Sequence, residues 1–222
     1  DLPQDFSSPS GKLRYIHRRT EDCDIYFVSN RSEEKFSTHG TFRIGGRPPQ
    51  LWDPVTGNTV QLVDYQARDG LTTIPLSFEP HQSFFVVFPQ STARIARQNL
   101  AATNFPAWEQ IGQLDGAWDV AFDPALGGPA GVTFEQLQDW TSHPEAGVRY
   151  YSGVATYRKR FDVPEAEDIG DNTKLYLDFG TVHDLCCVRL NGKKLGVLWT
   201  TPWRVEVSDV LKIQGNQLEV EV

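Results

Sequence analysis

Asn191-Gly192 lies between two apolar arms in the stretch VRLNGKKLGVLW, Val188 to Trp199. Both residues tolerate the positive backbone angles of a two-residue type I′ turn, whose twist matches that of paired antiparallel strands. The pair therefore predicts a hairpin with arms Cys186–Leu190 and Lys194–Leu198. A register slip of a single residue would turn Val188 and Leu190 away from the core. This turn therefore fixes which side chains can be inside, and a chain that contains it must build a sheet around it.

The same alternation runs through most of the sequence. Leu13–Arg18, Asp24–Ser29, Phe36–Ile44, Thr59–Tyr65, Leu71–Phe78 and Ser83–Phe88 read as strands, separated by turns such as DPVTGNT. Trp118–Phe122, Ala155–Val163, Lys174–Phe179, Trp203–Val207 and Gln217–Val222 continue the series. Short strands with turns at this spacing predict antiparallel sandwiches. Residues 90–104 break the pattern. The expected organisation is all-β: a β-sandwich accessory domain over 1–92, a connector over 93–103 and a jelly roll over 104–222. Thr133–Trp140 is the best helix candidate, with Thr133 as cap, Gln136 three residues on, and Phe134, Leu137 and Gln138 at helical spacing. On the strand Ala155–Val163, Tyr157, Lys159 and Phe161 share one face, where Lys159 is the odd member.

Composition excludes some functions. A net charge of −8, with only short basic clusters, argues against a nucleic-acid partner. No apolar run approaches the ~20 residues that span a bilayer, so no membrane role is expected. The chain starts at Asp1 and has no Met, which suggests a processed or excised chain, so a missing leader says nothing about export. Cys23, Cys186 and Cys187 lack metal-ligand spacing. Strand neighbours point to opposite faces, so Cys186 and Cys187 should not bridge each other, and all three are expected as buried or half-buried free thiols.

The order YYSGVATYRKRFDVP, LYLDFG, VRLNGKKLGVLW, TPWRVEVSDVLK, GNQLEVEV resembles the galactose-binding-like, sugar-binding jelly roll of family 2 glycoside hydrolases. Upstream, YIHRRTEDCDIYFVSN, FRIGGRPPQLWDPVTGN and SFFVVF, followed by WDVAFDP and LQDWTSHPEAGVRYYSG, resemble the C-terminal part of glycoside hydrolase family 106, the α-L-rhamnosidases. The resemblance implies that the catalytic barrel and its carboxylates lie N-terminal to this chain. No catalytic residue is therefore assigned here, and the first partner is that missing catalytic domain of the same polypeptide. It also implies an extracytoplasmic, periplasmic or secreted protein acting on plant-type polysaccharide. No cofactor is expected. A structural calcium at Asp115, Asp119 and Asp123 stays open, although their spacing of four is unlike a calcium loop.

The residues also suggest a glycan as second partner. A pyranose packs its C–H face on an aromatic ring and needs a few fixed polar groups for its hydroxyls. Trp199, Trp203 and Arg204 flank the TTP loop, and Trp140, His143, Arg149, Tyr150 and Tyr151 crowd the loop before Ala155–Val163. Both clusters border core strands and could share one end of the sandwich. The competing reading is burial of these aromatics in a core or a domain interface. His17-Arg18 and Trp52-Asp53 read either as an ion pair and a core Trp or as a surface docked on the barrel. Carboxylate pairs such as Asp119 with Asp123, or Glu206 with Asp209, have nothing nearby to activate them. The alternative function is an independent carbohydrate-binding module or a purely structural one.

Overall fold

The computed structural model describes residues 4–90, 103–105, 107–163 and 173–222. The chain divides into two units, Asp1–Trp108 and Glu109–Val222. The first carries β1 (Phe6–Ser7), β2 (Leu13–Arg19), β3 (Cys23–Asn30), β4 (Phe36–Phe42), β5 (Gln50–Trp52), β6 (Thr59–Gln61), β7 (Gln66–Arg68), β8 (Leu71–Phe78) and β9 (Ser83–Pro89). They form two antiparallel sheets, ordered β1-β4-β8-β7 and β2-β3-β9-β5-β6. In β3 and β8 every second residue is buried, as the period of two requires. Tyr26, Phe42, Phe78, Phe84 and Phe88 fill the space between the sheets, with Phe78 stacked on Phe84 at 4.4 Å. A Cβ at Gly40 would meet Leu76 Cδ1 at 2.7 Å, so a larger residue there would have to displace the Leu76 side chain.

The first unit extends past the expected limit of 92. Asn104 Oδ1 accepts from the amides of Val63 and Asp64, both at 2.9 Å, and Phe105 packs on the first core. These residues, expected in the jelly roll, instead close the first sandwich. The expected connector, 93–103, lies outside the described residues except for Thr103.

The second unit carries β10 (Trp118–Ala121), β11 (Val132–Phe134), β12 (Thr156–Phe161), β13 (Tyr176–Asp178), β14 (Cys186–Leu190), β15 (Lys193–Leu198), β16 (Arg204–Glu206) and β17 (Asn216–Glu221). Six strands form one antiparallel sheet, β11-β10-β12-β17-β14-β15, and β13 pairs with β16. Both sheets pack on one core that includes Trp118, Val120, Phe134, Val188, Leu190, Val207, Leu218 and Val220. The helix expected at Thr133–Trp140 does not form. Val132–Phe134 pairs with β10 instead, burying Phe134, while Leu137 stays 59% exposed and so gives a helix no face to bury. A short 3-10 turn, Trp140–Ser142, capped by the Asp139 side chain, follows, and then a single helical turn, Ala146–Arg149.

The predicted hairpin is present. Asn191 and Gly192 have φ of 53° and 83°, and Leu190 pairs with Lys193 across the turn. A bulge follows, where Val188 faces Gly196 and Arg189 faces Lys194, leaving Leu195 as the extra residue. Asn191 does more than turn the chain. Its Nδ2 donates to Val210 O at 2.7 Å and to Asn216 Oδ1 at 3.0 Å, and its Oδ1 accepts from Gln217 N at 2.9 Å. Asn216 is fully buried and closes its own loop with Lys212 through both side-chain atoms.

Lys159, the odd member of its face, is satisfied. Its ammonium donates to the carbonyls of Gly116 and Ala117 at 3.0 and 2.9 Å and sits 5.1 Å from the Trp118 ring centre. The three cysteines are free thiols, Cys186 buried and the other two half-buried. Burial pushes the Cys186 thiol up to about 11, which leaves it inert as a nucleophile.

Gly192→Val places a β-branched residue at positive φ and should destabilise the second unit by on the order of 1–2 kcal/mol. Urea unfolding followed by Trp fluorescence checks this.

Candidate carbohydrate-binding surface

Strand pairing places the two aromatic clusters. Leu198 pairs with Cys186, Cys187 with Glu221, Glu221 with Thr156, and Thr156 with Ala121. Trp199, Val222, Ala155 and Phe122 therefore mark one end of the six-stranded sheet, and the Asn191-Gly192 turn marks the other. The clusters share an end, but β15 and β12 are three strand spacings apart, about 14 Å.

The cluster around Tyr151 is mostly core. Trp140 Nε1 donates to the Tyr157 hydroxyl, and its ring meets Phe122 edge-on at 5.4 Å. His143 is buried and stacks on Phe134 at 5.2 Å, while its Nδ1 accepts from Glu145 N at 3.2 Å. Arg149 Nε donates to His143 O at 2.8 Å. The Tyr151 hydroxyl accepts from Asp123 N at 3.0 Å and donates to Val154 O at 3.1 Å. These contacts tie the 3-10 turn and the loop before β12 to the sheet, and they occupy the polar groups that a ligand would need. Tyr150, beside them, is 77% exposed.

Trp203 also packs against the second core, and its carbonyl accepts from Phe179 N at 2.8 Å. Arg204 lies 3.5 Å from Asp178, its registered partner across β13 and β16. Trp199 differs. It is 60% exposed, and Leu185 and Val197 beside the same hairpin end are exposed as well. Cys187 and Val197 face away from the core, and Glu221 and Thr156 continue their row across the sheet. The middle row of this outer face alternates in charge through Asp119, Arg158, Glu219 and Arg189, with Arg158 and Glu219 2.9 Å apart. Against that polar field Trp199 ends a short apolar strip. An exposed indole two residues beyond the row that carries the Glu221 carboxylate and the Thr156 hydroxyl suits a polyol with one apolar face. Near the other edge a shallow cavity of about 360 Å³ opens among Asp119, Thr133 and Arg158.

In the first unit, His17 reads correctly as part of an ion-pair network. Nδ1 lies 2.9 Å from Asp5, Nε2 lies 2.9 Å from Asp24, and the ring stacks on Tyr26 at 4.0 Å. Asp24 is buried and also accepts from Arg19 Nε at 2.7 Å and from Arg47 Nη2. Burial alone would raise the Asp24 carboxyl, but the hydrogen bonds from Arg19, Arg47 and His17 outweigh it and hold the group below its usual range. Arg47 gave no sequence signal, since it arrives from a loop of unpredictable path. Trp52 is not a core residue. It lies 38% exposed on the outer face, with Nε1 donating to Gln50 Oε1 at 2.9 Å. Asp53 accepts from Val55 N and Thr56 N and caps the turn.

The carboxyls whose titration is shifted, Asp24, Glu34 and Asp139, all move down, the opposite of what a general acid needs. Among the described residues no group of three or more His, Cys, Asp or Glu is placed to hold a metal ion. Asp123 caps the 3-10 turn Pro124–Leu126, and Asp119 accepts from Thr133 at 3.5 Å.

This chain consists of glycoside hydrolase-related β-domains, the second galactose-binding-like. Residues 1–67 match the alpha-L-rhamnosidase model, that of glycoside hydrolase family 106, and residues 141–222 match the glycosyl hydrolase 2 galactose-binding domain-like model. The rhamnosidase from Novosphingobium sp. PP1Y superposes with a TM-score of 0.82 and 32% identity, over 99% of this chain and 21% of that one. A curated protein of Formosa agariphila, named "Putative beta-glucuronidase", is 39% identical over 121 residues, 54% of this chain and 10% of its own length. The chain thus spans a tenth to about a fifth of these two relatives.

Two substitutions separate core from surface. Trp203→Ala should cost about 2 kcal/mol or more, and Trp199→Ala less than about 0.5, in chemical denaturation of the whole chain. Asp24→Asn should cost on the order of 3 kcal/mol at neutral pH, because it leaves guanidinium groups without their carboxylate. A depressed carboxyl stabilises the fold above its unfolded value near 4 and loses that contribution as pH falls through its folded value. The deficit of the Asp24→Asn variant should therefore shrink as denaturation curves are taken from pH 6 toward about pH 3.

Proposed function

We propose that this chain is the non-catalytic, C-terminal part of an exported α-L-rhamnosidase-like glycoside hydrolase acting on plant-type polysaccharide. It supports the catalytic barrel of that polypeptide and holds carbohydrate at Trp199. One observation carries the reading. Nearly the whole chain, 99%, superposes on a fifth of a rhamnosidase at 32% identity, which supports reading it as an accessory portion of a much longer enzyme. The exposed Trp199 strip supports the carbohydrate half of the reading, and it equally favours the second reading, an independent carbohydrate-binding module.

Titration with L-rhamnose and rhamnose-containing pectin fragments, followed by Trp fluorescence, tests this. The wild-type chain should bind in the millimolar range or tighter, and Trp199→Ala should bind about tenfold more weakly, a loss of ~1.4 kcal/mol. No response in either protein would leave a scaffold only. Purified chain should not cleave aryl α-L-rhamnosides. Turnover that disappears on mutating one of its own carboxylates would overturn the accessory role.

A further inference from the structure

A sandwich sheet with one solvated face should alternate apolar-in and polar-out. The sheet β2-β3-β9-β5-β6 does not. Along β9 the run Phe84-Phe85-Val86-Val87-Phe88 is apolar without a break, the pattern of a strand covered on both faces. Phe84, Val86 and Phe88 belong to the core between the sheets, so Phe85 and Val87 point outward. Strand pairing extends this outer face. Ile16 is opposite Phe27, Phe27 opposite Phe85, and Phe85 opposite Trp52; one row over, Ile25 is opposite Val87. Phe27 and Phe85 touch, with ring centres 5.1 Å apart, and Val87 is wholly buried. Ile16 is 58% and Trp52 38% exposed at the two sides. Four strands thus carry a continuous apolar strip about 15 Å across. Arg14 and Arg18, also outward on β2, border it.

We propose that this outer face is a docking surface for another domain of the same polypeptide, the catalytic domain of the proposed rhamnosidase-like enzyme. The proposal rests on that reading. Length and shape point to that occupant. The matched rhamnosidase has about four-fifths of its chain outside the region shared with this one. A flat strip four strands wide fits the side of a folded domain better than a peptide, which would add at an edge strand. The tilt of 55° between Phe27 and Phe85 makes a poor stacking platform for a sugar, which needs a flat ring face. The two arginines on the border fit an occupant with acidic groups at its rim.

The test is hydroxyl-radical footprinting of the polypeptide as its gene encodes it and of the 222-residue chain alone. Ile16, Phe27 and Trp52 should be labelled at least about fivefold less in the whole polypeptide, and Trp52→Glu should restore labelling at Ile16 and Phe27. Equal labelling in both would overturn the proposal. So would protection already present in the isolated chain that deepens with its concentration, which would make a second copy the occupant. Protection that appears only with added rhamnose-containing oligosaccharide would overturn it in favour of a glycan. Rhamnosidase activity of the whole polypeptide, assayed on the same samples, separates the two claims. Activity with a fully labelled face would sink the docking surface alone. A protected face without such activity would sustain docking and sink the enzyme reading.

Discussion

The buried amide of Asn216 holds the second unit together. It accepts from Lys212 N and Asn191 Nδ2 and donates back to Lys212 O. Asn191 in turn accepts from Gln217 N. One small knot thus joins the hairpin turn, the start of β17 and the loop that leads into it. Buried amides cost free energy unless each polar atom is paired, so this arrangement tolerates one geometry and penalises its neighbours. It fixes β14 against β17, and through the ladder it fixes the far end of the sheet where Trp199 stands. The placement of Trp199 therefore depends on a contact at the opposite end of the sheet.

The first unit uses a different device. Asp24 occupies an inward position at the start of β3 where an apolar residue would be expected, and it is satisfied by Arg19, Arg47 and His17. His17 bridges Asp24 to Asp5 while its ring covers Tyr26. The cluster secures the segment before β1, the end of β2 and the loop after β4. Both units thus rely on a polar network to specify what apolar packing alone leaves loose.

Much of this was legible in the sequence, and for a physical reason. Alternation of period two is a local signal, so Leu71–Phe78 emerges with the bounds read from the sequence, and the Asn191-Gly192 turn has the expected angles. The Thr133–Trp140 error arose because three residues at helical spacing mimic a face only if they are buried, and Leu137 is not. The aromatic clusters show the other limit. Sequence identifies Trp140, His143, Tyr151 and Trp203 as ring-bearing loop residues, but burial depends on Phe122, Phe134 and Tyr157, which arrive from other strands. Of the candidate rings, Trp199 and Tyr150 keep the exposure that a platform needs, and Trp199 alone of the two ends the apolar strip beside Leu185 and Val197. The run SFFVVF reads in the sequence only as a strand, and its apolar second face becomes evident when Phe27, Ile16 and Trp52 arrive beside it from other strands.

Amide hydrogen exchange at Gln217 and Lys212, read by nuclear magnetic resonance, tests the central claim most directly. Both amides donate to the side chains of the knot. If the knot is part of the cooperative core, they exchange only through global unfolding of the second unit, with the same free energy and denaturant dependence as Val188 and Val220. Exchange at Gln217 and Lys212 through a local opening, insensitive to denaturant while the sheet stays protected, would contradict the account.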